Sequence, residues 1–190
     1  MRAVITLAIV ALLLAPVPSA VLGQGRPAAD GKIGADEYAK TFKHDASGMV
    51  VRWSIVGDTL YLGIQAESEG WVGVGFLADK TRSKQGADQY IFTLHDGKPA
   101  ALDLYQPGPV GRPVPDEEAG GKNSILQSAV AQQGNTWTVE FARKLRTGEK
   151  TDVEIVPGKK MHLLLAVGAS DDWNRAHLTT RRWDIDGFVF

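Results

Sequence analysis

MVVRWSIV-GD-TLYLGIQA, residues 49–66, is the stretch that decides the fold of this chain. Both runs are rich in β-branched and aromatic side chains, and Gly57-Asp58 separates them. A two-residue connection of this kind is typical of a tight turn between antiparallel strands. We therefore predict a β-hairpin with strands at 49–56 and 59–66.

The same strand-like pattern recurs after residue 30, in short segments separated by Gly, Asp, Asn and Pro. Apolar residues repeat with period two far more often than with the helical period. Further strands are predicted at 71–76, 89–94, 101–105, 136–141, 161–167 and 183–189. Eight or so strands predict an all-β sandwich or barrel. Residues 36–43 are expected to form a short helix or turn and 142–145 a single turn, while 77–85 and 107–123 are expected to be irregular loops.

The composition excludes several classes of protein. The 190 residues contain no cysteine, which removes disulfides, thiolate metal sites, a catalytic Cys and covalent CxxCH haem attachment. A formal net charge of −1 gives no reason to expect a nucleic-acid partner. The sequence contains no G-x-S-x-G, H-E-x-x-H, P-loop or G-x-G-x-x-G motif, so we do not expect an enzyme.

The N-terminal segment has the form of a signal peptide. Arg2 precedes an apolar stretch over 3–14, and Pro16 and Pro18 precede the small residues Ser19 and Ala20. We predict a signal peptide at 1–23 and one domain over 24–190, secreted or periplasmic. An uncleaved membrane anchor is the alternative, because apolar character extends to about residue 22.

The run GWVGVGF at 70–76 is the best candidate for a binding surface. In a strand, Val72, Val74 and Phe76 would point to one face, and Trp71, Gly73 and Gly75 to the other. Glycine weakens a strand interior, and two on one face are explained if a flat ligand or another backbone approaches closely. Close sheet packing or a bulge would explain them equally well.

The chain resembles the DOMON family, which is named for the N-terminal domain of dopamine β-monooxygenase and includes haem-binding cytochrome domains. The matching pieces occur in the family's order over almost the whole predicted domain. They are Asp30-Gly31-Lys32-Ile33 through Glu37-Tyr38, GWVGVGF at 70–76, GAD at 86–88, the acidic and Gly-Gly segment 116–121, residues 140–145 followed by Thr147-Gly148, and the late His177.

The resemblance implies an immunoglobulin-like β-sandwich of two mainly antiparallel sheets that binds haem b or a sugar. In haem-binding members, a Met shortly before GAD and a His near the C-terminus are the axial ligands. His177 occupies the His position, and Lys84 occupies the Met position. The expected site is therefore Lys84 and His177 at iron, with Trp71, Gly73 and Gly75 against the porphyrin.

Lysine binds iron only as the neutral amine, and deprotonation at pH 7 costs roughly 4–5 kcal/mol for an ordinary pKa. Burial lowers that pKa by disfavouring the charged form, which makes coordination by Lys84 and His177 feasible. Met49 and Met161 are alternative donors, although both lie in strand patterns where core packing is the commoner use.

The leading hypothesis is an exported haem b module that passes single electrons to a redox partner protein or a membrane electron-transfer chain. The acidic run Asp116 to Glu118 could dock a basic partner or be a solvated surface. The alternative is a carbohydrate- or small-ligand-binding sandwich without haem, with aromatic side chains such as Trp71 stacking on the ligand. A structural subunit with an inert site is a third possibility.

Overall fold

The computed structural model describes residues 25–78 and 83–190, which form two packed antiparallel sheets and no helix within those ranges. The first sheet has the order β1-β2-β3-β9-β8, and the second has the order β11-β10-β4-β5-β6-β7. The strands are β1 (Lys40–His44), β2 (Met49–Val56), β3 (Thr59–Glu67), β4 (Val72–Leu77), β5 (Asp88–His95), β6 (Lys98–Tyr105), β7 (Val114–Pro115), β8 (Gln127–Gln133), β9 (Thr136–Lys144), β10 (Lys160–Gly168) and β11 (His177–Val189).

The predicted all-β sandwich is confirmed, including the hairpin at 49–66. β2 pairs with β3 from Val50↔Gln65 to Val56↔Thr59, and Gly57 adopts a φ of 63° in the turn, which glycine tolerates without steric cost. The six other predicted strands lie in β4, β5, β6, β9, β10 and β11.

Two local predictions were wrong. Residues 36–43 do not form a helix: a turn at 35–36 leads into β1, whose backbone pairs with β2 from Lys40↔Trp53 to His44↔Met49. Residues 142–144 do not form a turn, because they continue β9 and pair with β3, and Ala142 also pairs with β8. In both places the hydrogen bonds of a neighbouring strand outweigh weak local preferences.

The main core lies between the two sheets. Val72, Val74 and Phe76 of β4 belong to it, together with buried side chains from β2, β3, β9 and β10. Phe76, Phe188 and Phe190 form edge-to-face contacts with ring centroids 4.9–5.6 Å apart. The same alternation that buries these residues sends the neighbouring positions of β4 and β10 to the outer face of the second sheet.

The described residues contain no helix long and apolar enough to cross a membrane. The proposed signal peptide at 1–23 and the part of the polar loop at 79–82 lie outside the described residues. Their assignments, and the domain boundary at residue 24, stay predictions.

Candidate functional site

A cavity of about 760 Å³ lies on the outer face of the second sheet, on the side away from the main core. Its floor is formed by outward-facing residues of β4, β5 and β10, and its walls by segments 109–113 and 173–177. The volume falls within the roughly 300–1,000 Å³ typical of small-molecule and cofactor sites. All five residues that sequence reasoning selected line this one cavity: Trp71, Gly73, Gly75, Lys84 and His177.

The two glycines face away from the core as the alternation of β4 predicted. A Cβ on Gly73 would lie 3.1 Å from Trp71 Cζ3, and a Cβ on Gly75 would lie 3.0 Å from Gln89 Cγ. Contacts this tight require a neighbour to move. Neighbouring side chains of the protein itself therefore account for much of the need for glycine here.

Trp71 is itself part of the cavity floor and is only 3% exposed. Its indole lies across the end of β10, where a Cβ on Gly168 would be 2.4 Å from Trp71 Nε1. The backbones are tied at the same place, since the Gly168 N–H donates to the Trp71 carbonyl at 2.8 Å. Trp71 Nε1 is buried without a hydrogen-bond partner among the described residues. Gly168 was not predicted as part of the site. It is needed to make room for the Trp71 indole, which lies ninety-odd positions earlier in the sequence.

His177 is the first residue of β11 and pairs with Gly168 in β10, so it lies in a strand rather than in a connection before the strand predicted at 183–189. The half-buried ring has Nδ1 3.2 Å from the Leu178 carbonyl. When Nδ1 carries the proton and donates there, Nε2 is left as the nitrogen that can ligate. Burial lowers the pKa of His177, and the positive charges of Arg182 and Lys84 lower it further, against the opposing hydrogen bond to Leu178.

Lys84 lies on the same cavity and is half-buried. Burial lowers the pKa of its amine, and the nearby positive charge of Arg182 lowers it further. Both shifts favour the neutral amine, which is the form that can donate electrons to a metal. The cavity thus collects two nitrogen donors whose surroundings both favour the ligating protonation state.

Two loops, at 109–113 and 173–177, form the mouth of the cavity, and their contact with each other was not predicted from the sequence. Arg112 Nη1 donates to Asn174 Oδ1 at 2.7 Å, and the Arg112 guanidinium lies 5.6 Å from the centroid of the Trp173 ring. Arg182, also on the cavity, was missed as well. The proline-rich character of 107–123 was the only sequence signal for this loop, and it could not identify the loop's partner.

The methionine alternatives are not on the cavity. Met49 and Met161 are 1% and 6% exposed and pack in the main core between the sheets. The acidic run 116–118 also needs correction, because Asp116 is fully buried while Glu117 and Glu118 are exposed. Asp116 therefore belongs neither to a solvated face nor to a docking surface.

Comparison with known proteins identifies the family. The DOMON domain model matches residues 45–168, and the chain belongs to the DOMON family. A similar solved structure is the cytochrome b domain of pyranose dehydrogenase from Coprinopsis cinerea, with 12% identity, a TM-score of 0.50, and coverage of 77% of this chain and 80% of that one. Another is the cytochrome domain of Myriococcum thermophilum cellobiose dehydrogenase, with 10% identity, a TM-score of 0.42, and coverage of 77% and 87%. No curated protein matches this sequence.

Proposed function

We propose that this protein is an exported DOMON module that binds haem b in the cavity of the second sheet and passes single electrons. The observation that carries the proposal is the presence of Lys84 and His177 on one cavity, each in surroundings that lower its pKa. Membership of a family that includes haem-binding cytochrome domains supports it, as does the fold shared with a cytochrome b domain.

The cavity fits the cofactor in three respects. Its volume suits a group of this size, its floor is mainly apolar, and arginines stand at its rim. Arg112 and Arg182 would pair with the two carboxylates that haem b carries, since guanidinium groups bind carboxylates through charge-assisted hydrogen bonds. Trp71, with Gly73 and Gly75, would form the flat surface against the macrocycle.

In this proposal haem b, when bound, supplies an iron that cycles between two oxidation states. The protein's part is to exclude water and hold the donors. His177 would bind through Nε2 while Nδ1 donates to the Leu178 carbonyl, which fixes the orientation of the ring. Lys84 would bind as the neutral amine that burial favours. No side chain of the chain is assigned a bond-making step, so we propose an electron-transfer module rather than an enzyme.

Two further points belong to the proposal. Export rests on the signal-like sequence of residues 1–23, and recovery of a protein beginning near residue 24 from outside the cytoplasm would test it. A redox partner is the necessary counterpart of an electron-transfer module, and the cavity mouth at Arg112 and Trp173 is where the cofactor would be nearest to it.

Absorption spectra of the purified protein with added haemin test the proposal. We expect a low-spin Soret band and, after reduction, an α band. His177→Ala should abolish six-coordinate haem, whereas Lys84→Ala should leave a five-coordinate species. His95→Ala and Lys98→Ala, at exposed positions of the β5–β6 hairpin, are matched controls and should keep the wild-type spectrum. A low-spin spectrum unchanged by Lys84→Ala would assign the sixth ligand to another donor, and absence of any low-spin haem would refute the proposal.

A carbohydrate ligand is the second candidate, favoured by the aromatic and polar side chains at the cavity mouth. Trp173 is half-buried there beside Asn174, an arrangement that could stack on a sugar ring and bond its hydroxyl groups. Calorimetry on haem-free protein should then detect sugar binding that Trp173→Ala removes. Failure to bind any sugar, together with a low-spin haem spectrum, would eliminate this candidate.

A further inference from the structure

Four buried aspartates lie close together at a place that is separate from the cavity on the second sheet. Asp88 begins β5, Asp103 lies in β6, Asp116 follows β7 directly, and Asp152 precedes β10. Ligand atoms of Asp88, Asp103 and Asp152 lie within 4.8 Å of one another. All four side chains are at least 97% buried. Arg143, also buried, is the basic residue paired with this group.

Hydrogen bonds hold one oxygen of two of these carboxylates. Asp88 Oδ2 accepts from the Val153 N–H at 3.1 Å and from Arg143, and Asp103 Oδ2 accepts from the N–H and hydroxyl of Ser124 at 2.6 and 2.7 Å. The second oxygen of each has no partner among the described residues. Carboxylates that ligate a metal typically have this arrangement, in which hydrogen bonds from the protein orient one oxygen and the other oxygen is free to bind the ion.

Asp116 is an independent sign of a missing partner. It is fully buried, its N–H donates to the Asp103 carbonyl at 3.1 Å, and it lies close enough to Asp152 for the two side chains to interact directly. Neither oxygen of either carboxylate has a hydrogen-bond donor of ordinary geometry in the described chain. The adjoining buried hydroxyl of Thr151 lies close enough to Asp116 to interact with it, although it makes no hydrogen bond of ordinary geometry. Buried polar atoms rarely remain unsatisfied in folded proteins.

The net negative charge of this buried cluster also favours a bound cation. Four carboxylates and one guanidinium leave a net charge of −3 in a buried volume when all are ionised. Arg143 is fully engaged, with further bonds from Nη2 to the Val153 carbonyl at 3.0 Å and from Nε to the Lys144 carbonyl at 2.9 Å. Burying carboxylates without compensating charge is costly, and a divalent cation would remove most of the imbalance.

We propose that these four aspartates bind one Ca²⁺ ion. Six carboxylate oxygens accept no hydrogen bond of ordinary geometry. They are Asp88 Oδ1, Asp103 Oδ1, both of Asp116 and both of Asp152, and of these Asp152 Oδ2 lies 3.9 Å from Arg143 Nη2. An all-oxygen donor set of this size matches the six to eight ligands that Ca²⁺ takes, and the flexible geometry of Ca²⁺ tolerates ligands from four separate segments. Mg²⁺ fits less well, because it usually keeps several waters and this site is closed to solvent.

Such an ion would fix the loop at the mouth of the cavity. Asp103 and Asp116 lie on either side of segment 109–113, which lines the cavity and carries Arg112. Both ends of that loop would be fastened to β5 and to the segment before β10 through one cation. The site does not depend on what the cavity binds, so it can be tested on haem-free protein.

The test uses the full protein, stripped with a chelator, desalted and compared with and without added CaCl2. We expect about one Ca²⁺ per chain by elemental analysis and a Tm roughly 5–15 °C higher at saturating calcium. Asp116→Asn should weaken calcium binding at least tenfold, and Asp103→Asn provides a second variant if the first fails to fold. Asp96→Asn, whose side chain is 89% exposed, is the matched control and should bind calcium normally.

The outcomes separate clearly. Stoichiometric calcium with a Tm response lost in Asp116→Asn supports the site. No bound metal and the same Tm with and without calcium would overturn the proposal and leave shared protons to hold the cluster. An equal or larger response to MgCl2 or ZnCl2 would overturn the assignment to Ca²⁺. The haem spectrum is a separate measurement, and its result affects neither the conclusion that the site binds a cation nor the assignment of that cation to Ca²⁺.

Discussion

Residues 30–38 are tied to the sandwich by hydrogen bonds to a buried glutamate. Glu140 of β9 is fully buried, and its Oε2 accepts from the N–H groups of Asp30, Gly31 and Lys32 at 3.1, 2.8 and 3.2 Å. Its Oε1 accepts from the Tyr38 hydroxyl at 2.9 Å. A single side chain thus satisfies four donors from a segment more than one hundred positions earlier in the sequence.

Glu140→Ala should destabilise the protein by about 2.5–6 kcal/mol. The three backbone donors lie near solvent and can find water, so we assign each about 0.5–1 kcal/mol, while the buried Tyr38 hydroxyl left without an acceptor costs about 1–3 kcal/mol. Urea unfolding followed by tryptophan fluorescence measures the loss, which corresponds to roughly 2–4 °C of Tm per kcal/mol for a domain of this size.

Glu140→Gln is the decisive control. Burial raises the pKa of Glu140 despite the hydrogen bonds from Tyr38 and the backbone, so the folded protein disfavours the charged form of this side chain. The amide oxygen can replace Oε2 as acceptor, and the amide NH2 can donate to the Tyr38 oxygen. Because the buried Tyr38 O–H then lacks an acceptor while the backbone donors keep theirs, we expect a loss of about 1–3 kcal/mol, smaller than that of Glu140→Ala. A loss as large as that of Glu140→Ala would refute the reasoning and show that the charge, rather than the acceptor geometry, holds the segment.

Three further substitutions test the cavity and the buried ion pair. Ala166→Phe adds a ring on the cavity floor and should abolish haem uptake in a titration, while unaltered affinity would put the ligand elsewhere. Gly168→Ala introduces a Cβ 2.4 Å from Trp71 Nε1, so we expect a loss of about 1–3 kcal/mol in urea unfolding and a changed near-UV circular dichroism spectrum. Arg143→Met leaves Asp88 buried without its cation and should cost about 3–5 kcal/mol by the same measurement, with Asp88→Asn in the same chain recovering part of the loss.

The strands were predictable where alternation and turn residues agree. Residues 49–66 have a strong two-residue period and a glycine turn, and the structure follows them closely. β8 was not predicted, because most of its seven residues are polar or small (QSAVAQQ) and only Val130 is buried. It is an edge strand whose conformation comes from pairing with β9, and that information is not local to its own sequence.

The site was predictable only in part, for a related reason. Alternation along β4 is local, and it correctly put Gly73 and Gly75 on the face opposite the core. The proximity of Lys84, His177 and Arg182 depends on β11 pairing with β10 and β10 with β4, so a single segment carries no trace of it. The burial of Asp116 could not be predicted for the same reason. A run of acidic residues predicts an exposed surface, and the other buried carboxylates near Asp116 come from distant parts of the sequence.

The physical basis of the cavity is that β4 buries both of its faces. An antiparallel sheet ordinarily faces water on one side, yet all six residues of β4 are buried. The inner face packs in the sandwich core, whereas the outer face is covered by Trp71 and by loops rather than by a third layer of regular structure. Loop cover leaves a hollow that a packed layer would fill. Since Arg112 and Trp173 belong to these loops and not to the core, changes at the cavity mouth should alter what binds there while leaving the sandwich intact.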